Sequence, residues 1–227
     1  MAQYFVDAFT NADLSDFEKT TNPNNFSLTT GLFEGKECLI VTDTASYGGA
    51  YSYIPAGTAA DYEIVCSMKL AYAANNQRLG LAGNIDSSAN FYLGSAIANN
   101  IHITRFNAGS RSILAIEYPK TSDPSVNWTS YRFRKSGANF KVRYWITGTP
   151  EPTTWDIEIT ESEDQLAAGK IGMGYFGLAE GSVEFLGIGT NGDAAPTAPL
   201  PTGPNTPTNP AVTNLQATSA RLTWGQG

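Results

Sequence analysis

The tightest constraint on this chain is the alternation in residues 62–72, where Tyr62, Ile64, Cys66, Met68, Leu70 and Tyr72 fall on one parity and Glu63, Ser67 and Lys69 on the other. Successive side chains of a strand point to opposite faces, so this period of two specifies a strand with one face in a core and the other in solvent. The same period, punctuated by Gly, Asn, Asp or Pro, recurs at 38–41, 51–54, 62–70, 78–82, 90–94, 101–106, 112–117, 130–135, 140–146, 154–160, 170–176 and 182–189. Strands this short and this closely spaced fold as a sandwich or a barrel. Two stretches depart from the pattern: "ADLSDFEKT" and "SEDQLAAGK" each carry the start and stop signals of one helical turn.

Composition agrees, since 22 Gly, 12 Pro, 11 Tyr and 11 Phe suit many strands joined by turns and leave no place for long helices. A net charge of -7 excludes a nucleic-acid or anionic-membrane surface, which needs clustered Lys and Arg. No apolar run approaches the roughly 20 residues that cross a bilayer. The opening "MAQYFVDAFTNADLSDFE" has neither a basic n-region nor an apolar h-region, so no Sec signal peptide is expected. Cys38 and Cys66 both sit in apolar strand patterns and read as buried thiols rather than a bridge.

After residue 192 the composition changes. "GDAAPTAPLPTGPNTPTNP" is rich in Pro, Thr and Ala and lacks large aromatics, so residues 193–210 read as a semi-extended linker between a domain at 1–192 and a short third segment at 211–227. That segment, "AVTNLQATSARLTWGQG", resembles the first two strands of a fibronectin type III domain, present only as a fragment.

The order of "FVDAF", "ADYEIVCSMKL", "RLGLAGNIDSSANFYLG", "IHITRFNAG", "NWTSYRFRKSGANFKVRYWITGTPEPTTW" and "AAGKIGMGYFGLAEGSVEFLGIGTNG" resembles the concanavalin A-like lectin/glucanase superfamily in its laminin G-like branch, over about residues 3–192. The last two stretches carry most of the specificity and look like the second half of such domains in bacterial and phage surface proteins. The resemblance implies an all-β, two-sheet antiparallel jelly-roll sandwich whose curved sheet often binds glycans on its concave face. It does not decide function, because the superfamily holds lectins, carbohydrate-binding modules, glucanases and structural spacers.

The carboxylates of "WDIEITESE" are the candidate catalytic set. Asp156, Glu158 and Glu161 stand at i, i+2 and i+5, but the glucanase branch has Glu-x-Asp-x-x-Glu, so Asp and Glu are exchanged at the first two places. Ordinary alternation also sends Glu161 to the opposite face unless a bulge intervenes. The simpler expectation is a strand at 154–160 with Trp155, Ile157 and Ile159 inward and the acids solvated, and no catalysis. For glycan binding, aromatic rings that stack on sugars and polar groups that bind hydroxyls single out Tyr47, Tyr51, Tyr53, Arg78, Asn84, Asn90, Tyr92 and Trp128. Arg143 and Trp145, with Lys141, are expected to pack under the loop "GTPEPTTW", and the lone His102 lacks a nucleophile signature beside it. No cofactor is expected. The resemblance allows one structural calcium between the first and last strands, for which Asp7, Asn191 and Asp193 are the oxygen donors at hand.

The expected function is a non-enzymatic carbohydrate-binding or adhesion module of a phage virion (tail fibre, receptor-binding or decoration protein) or of a cell-surface protein. Its partners would be a cell-surface glycan, with a homo-oligomer or other virion proteins beside it. The alternatives are a glucanase-like glycoside hydrolase and a structural or interaction domain that binds no glycan.

Overall fold

The computed structural model describes residues 2–7, 13–19, 26–43, 49–71, 78–86, 90–97, 100–118, 123–163, 165–176 and 180–198. They form two antiparallel sheets. The first runs β14 (Ile157–Thr160), β13 (Asn139–Ile146), β12 (Thr129–Ser136), β7 (Tyr62–Leu70), β16 (Glu180–Thr190), β4 (Lys36–Asp43) and β3 (Phe26–Phe33), with β1 (Ala2–Asp7) also paired to β16. The second runs β11 (Ser110–Glu117), β10 (Asn100–Asn107), β9 (Phe91–Ile97), β8 (Arg78–Ile85), β15 (Gly169–Phe176), β5 (Gly49–Tyr53) and β2 (Phe17–Lys19), with β6 (Thr58–Ala59) beside β15. This is the all-β, two-sheet antiparallel jelly-roll sandwich that the family resemblance implies, and it decides between the sandwich and the barrel that the alternation left open.

Between the sheets the apolar parity of each strand makes the core. Tyr62, Ile64, Cys66, Met68 and Leu70 of β7 are all buried there, opposite Leu79, Leu81, Ile101, Ile103 and Met173 of the other sheet. The two layers interlock through aromatic rings seated over glycines. A Cβ on Gly94 would lie 2.8 Å from Phe133 Cγ, and one on Gly83 would overlap the Tyr62 ring, so only glycine lets these rings reach the facing sheet. Tyr62 and Phe133 pack edge to face at 5.8 Å, and Tyr92 meets Phe140 across the layers at 4.5 Å. Cys38 and Cys66 are free, buried thiols, and burial pushes Cys38 up to about 11.

Several expectations need correction. The second parity of β7 does not meet solvent: Glu63, Val65 and Ser67 are 2%, 0% and 0% exposed. Residues 147–156 and 193–196 lie over this outward face, with Thr147 bonded to Ser67 and Ser130, Glu151 to Arg132, and Ala195 to Glu63. The strand expected at 154–160 starts only at Ile157, because Trp155 belongs to the covering loop, where the Arg143 guanidinium lies 4.3 Å from its ring. The described residues of "SEDQLAAGK" contain no helical turn. In "ADLSDFEKT" a single 3-10 turn, Leu14–Asp16, does form, capped by Asp13, whose carboxylate accepts the Ser15 N–H at 2.8 Å. It is followed at once by β2, which, like β1, β3 and β6, the alternation does not announce.

Phe133 is fully buried at the interlock, so Phe133→Ala removes a ring that cannot be replaced by relaxation around Gly94. The expected cost is about 3–5 kcal/mol in urea unfolding, with the slope of the transition unchanged.

Candidate functional site: a groove on the concave sheet

The three carboxylates of "WDIEITESE" are not brought together. Asp156 accepts the Tyr144 N–H at 2.9 Å just ahead of β14, and Glu158 points outward to Lys141 at 2.5 Å. Glu161 leaves the strand altogether. Its N–H bonds to the Ala138 carbonyl, and its carboxylate turns inward to accept from the Tyr92 hydroxyl and from Arg105 Nη1 at 2.7 Å. No bulge is needed to turn Glu161, because the strand ends at Thr160. Each carboxylate is thus held by a different partner, Asp156 by Tyr144, Glu158 by Lys141, and Glu161 by Tyr92 and Arg105.

The proposed sugar-stacking residues separate as well. Tyr51 and Tyr53 do share one face of β5, but it is the core face. Both are 9% exposed, and Tyr53 packs against Phe17 at 5.4 Å and Tyr4 at 5.9 Å. Burial raises both phenols. Tyr92 is fully buried, donates to Glu161 and accepts the Leu166 N–H at 3.1 Å; burial, then the bond to Glu161, raises its phenol well above the ordinary value. Trp128 is half-buried on the other sheet, with Lys36 Nζ 4.7 Å above its ring and Phe33 edge-on at 6.2 Å. Arg78 opens β8 in register with Phe176, its side chain lying outside the described residues, as Tyr47 does entirely. The calcium reading fails on register. Asp7 pairs with Phe185, whereas Asn191 and Asp193 follow Thr190, which pairs with Ala2 at the other end of β1, about 17 Å away along the strand. No cluster of His, Cys, Asp or Glu suited to a metal occurs among the described residues.

What the structure does build lies on the outer face of the second sheet. Phe106 on β10 and Phe176 on β15 are separated by β9 and β8, which alone is about 14 Å across a flat sheet, and their registers set them further apart along the strands. Their rings are nevertheless 5.7 Å apart, and the Arg111 guanidinium of β11 sits 4.5 Å from the Phe176 ring. The sheet is therefore strongly curled, with this face concave. Ala50, Ala82, Phe91, Leu93 and Phe106 form a second apolar cluster on it, beside buried Ser95, His102 and Thr104. The hydroxyls of Ser95 and Thr104 have no hydrogen-bond partner among the described residues.

At one end of this face, where small residues of β15 replace the aromatic rings, a groove of ≈430 Å³ opens. Glu18 and Lys19 of β2, Thr58 of β6, Ile85 and Asp86 after β8, and Ala168, Gly169 and Lys170 line it. Lys170 pairs with Glu18. Asn90 stabilises one wall: the Asp86 carboxylate accepts its N–H at 3.1 Å and its Nδ2 at 2.8 Å. Asn84, buried in a left-handed conformation at φ 54, holds another by donating from Nδ2 to the Ala167 carbonyl at 2.6 Å. Two of the predicted ligand residues thus serve as supports of a groove rather than as its surface. Glu18 and Lys170 went unnoticed in the sequence because only strand pairing joins positions 152 residues apart.

No family model matches the chain, and no curated protein matches it. Solved structures do. A Bacteroides ovatus GH16 protein in complex with a G4G4G3G product superposes with a TM-score of 0.56 at 10% identity, over 82% of this chain and 99% of the other. A prokaryotic β-1,3-1,4-glucanase from a mouse hindgut metagenome gives 0.54 at 13%, over 84% and 100%. The Bacillus licheniformis β-glucanase gives 0.53 at 12%, over 84% and 99%. At such identities the likeness establishes the concanavalin A-like fold and nothing finer.

Two substitutions check these assignments. Tyr92→Phe removes the donor to a charged carboxylate and is expected to cost about 1.5–3 kcal/mol in urea unfolding, with faster hydrogen exchange at Leu166. Burial raises Asp156, against the Tyr144 N–H that lowers it, Glu117 adding to the rise and Arg143 opposing it. A raised carboxyl favours the folded state below its ordinary value and loses that contribution as pH rises through the raised one. Asp156→Asn, which keeps an acceptor for Tyr144, is therefore expected to be slightly more stable than wild type at neutral pH, the gain vanishing below about pH 4. The residue is exposed overall, so the gain is small.

Proposed function

We propose that the domain is a non-enzymatic carbohydrate-binding module that holds a glycan in the groove on the concave sheet. The observation that carries this reading is the groove itself: ≈430 Å³, open at the concave face and lined by carboxylate, ammonium and hydroxyl groups around Ile85 and Gly169. Sugars are bound by such mixed donors and acceptors over an apolar floor, in sites of this size. The fold is shared with a GH16 protein solved with a glucan product, which supports the ligand class. From the sequence, the Pro/Thr-rich stretch, the fibronectin-like segment after it and the resemblance to the laminin G-like branch support an adhesion role on a virion or cell surface.

The hydrolase reading has one observation in its favour, two carboxylates, Glu18 and Asp86, at a single groove. Both residues are exposed, whereas a general acid is set in an apolar pocket that keeps it protonated. Binding without cleavage is the better account.

The test is a glycan array on the intact chain, followed by calorimetric titration of the best ligand. Lys170→Ala and Asp86→Ala are each expected to weaken binding about 10-fold or more, the loss of one hydrogen bond to a charged group. Trp128→Ala, on the other sheet, is expected to leave affinity unchanged. Silence across the array, or affinity indifferent to both groove substitutions, would overturn the assignment; release of reducing sugar from a β-glucan would move it to the hydrolase class.

A further inference from the structure

Glu63 on β7 is 2% exposed on the outward face of the first sheet, and its carboxylate is shared three ways. Arg132 and Arg134 of β12 donate to it, and the backbone N–H of Ala195 donates to it at 3.0 Å. Arg132 closes the circuit. Its Nη1 donates to the Ala195 carbonyl at 3.1 Å, while Nε and Nη2 grip Glu151 at 2.6 and 2.9 Å. From β1, Gln3 Nε2 donates to the Ala194 carbonyl at 2.6 Å. Underneath, β16 presents Gly187, where a Cβ would overlap the Pro196 carbonyl oxygen.

We propose that residues 193–196 are a strap that locks onto the domain and fixes the direction in which the Pro/Thr-rich stretch departs, making this joint rigid. Composition assigns these residues to a linker, yet Ala195 is 4% exposed and is held at both its N–H and its C=O. A carboxylate buried as deeply as Glu63 is tolerated only when its acceptor sites are filled, and the strap supplies one of its three donors. Docking the strap and closing the outward face over Val65 are one event. The joint acts independently of what the groove binds. Thr197 and Ala198 are exposed, so the strap ends at Pro196.

Hydrogen exchange on the full chain tests this. The Ala195 amide is expected to exchange about 100-fold or more slowly than an unstructured peptide, and a nitroxide at Thr197→Cys to show restricted motion. Gly187→Ala is expected to lift the strap, bringing Ala195 exchange to within a few-fold of the unstructured rate and freeing the label. Should that variant fail to fold, Gln3→Ala, at an exposed residue, removes one tie and is expected to raise Ala195 exchange several-fold. An unprotected Ala195 amide in the wild-type chain, or protection unchanged in whichever variant folds, overturns the proposal.

Discussion

The seating of Tyr62 and Phe133 over Gly83 and Gly94 is the contact on which the rest of the molecule depends. Two sheets can slide past one another over a smooth apolar interface, but a ring lodged where the facing strand has no Cβ fixes their relative position. Once Gly94 faces Phe133, its neighbour on the same face of β9, Tyr92, is carried to Phe140 and to the end of the sandwich. There its hydroxyl can only meet the chain leaving β14, which is why Glu161 and Leu166 converge on it. The anchored segment leads into β15 and so sets the position of Gly169 and Lys170 in the groove.

The outward face of the first sheet follows a different logic. It is covered by charge rather than by apolar side chains: Glu63, Arg132, Glu151 and Arg143 form a chain of ion pairs beneath the Trp155 ring. Burying ions is expensive, and replacing them by apolar residues would often be as stable. What a fully bonded network adds is selectivity. Only a loop carrying a carboxylate at the position of Glu151, and a backbone that offers the Ala195 carbonyl to Arg132 and the Ala195 N–H to Glu63, completes the network. The cover can therefore dock in one arrangement.

How much of this was legible follows from the range of each signal. Parity is local, and the inward row of β7 emerged where the alternation put it. Coverage is not local. Glu63 and Ser67 alternate just as solvent-facing residues do, and nothing near them in sequence shows that residues 147–156 and 193–196 will close over them. The same limit misdirected the choice of sugar-binding aromatics. Tyr51 and Tyr53 share one face of β5, but which face is inward depends on Met173 and Tyr175 across the pair in β15. Asn84 and Asn90 stood out because polar residues in a Gly-rich stretch suggest a ligand, and they do lie at the groove, as its supports.

Curvature explains why the groove lies at one end of the concave face instead of along its centre. In a strongly curled sheet, side chains on the concave side converge, and rings long enough to span the curl meet above the floor. Phe106, Phe176 and Arg111 do so. Toward Ile85 and Gly169 the convergent positions are filled by short side chains and by the salt-linked Lys170 and Glu18, which cannot bridge the same width. The face stays open there because of residue size, and it is polar there because of which strands end nearby. The site therefore combines donors and acceptors, on Glu18, Lys19, Thr58, Asp86 and Lys170, with an apolar floor at Ile85 and Ala168.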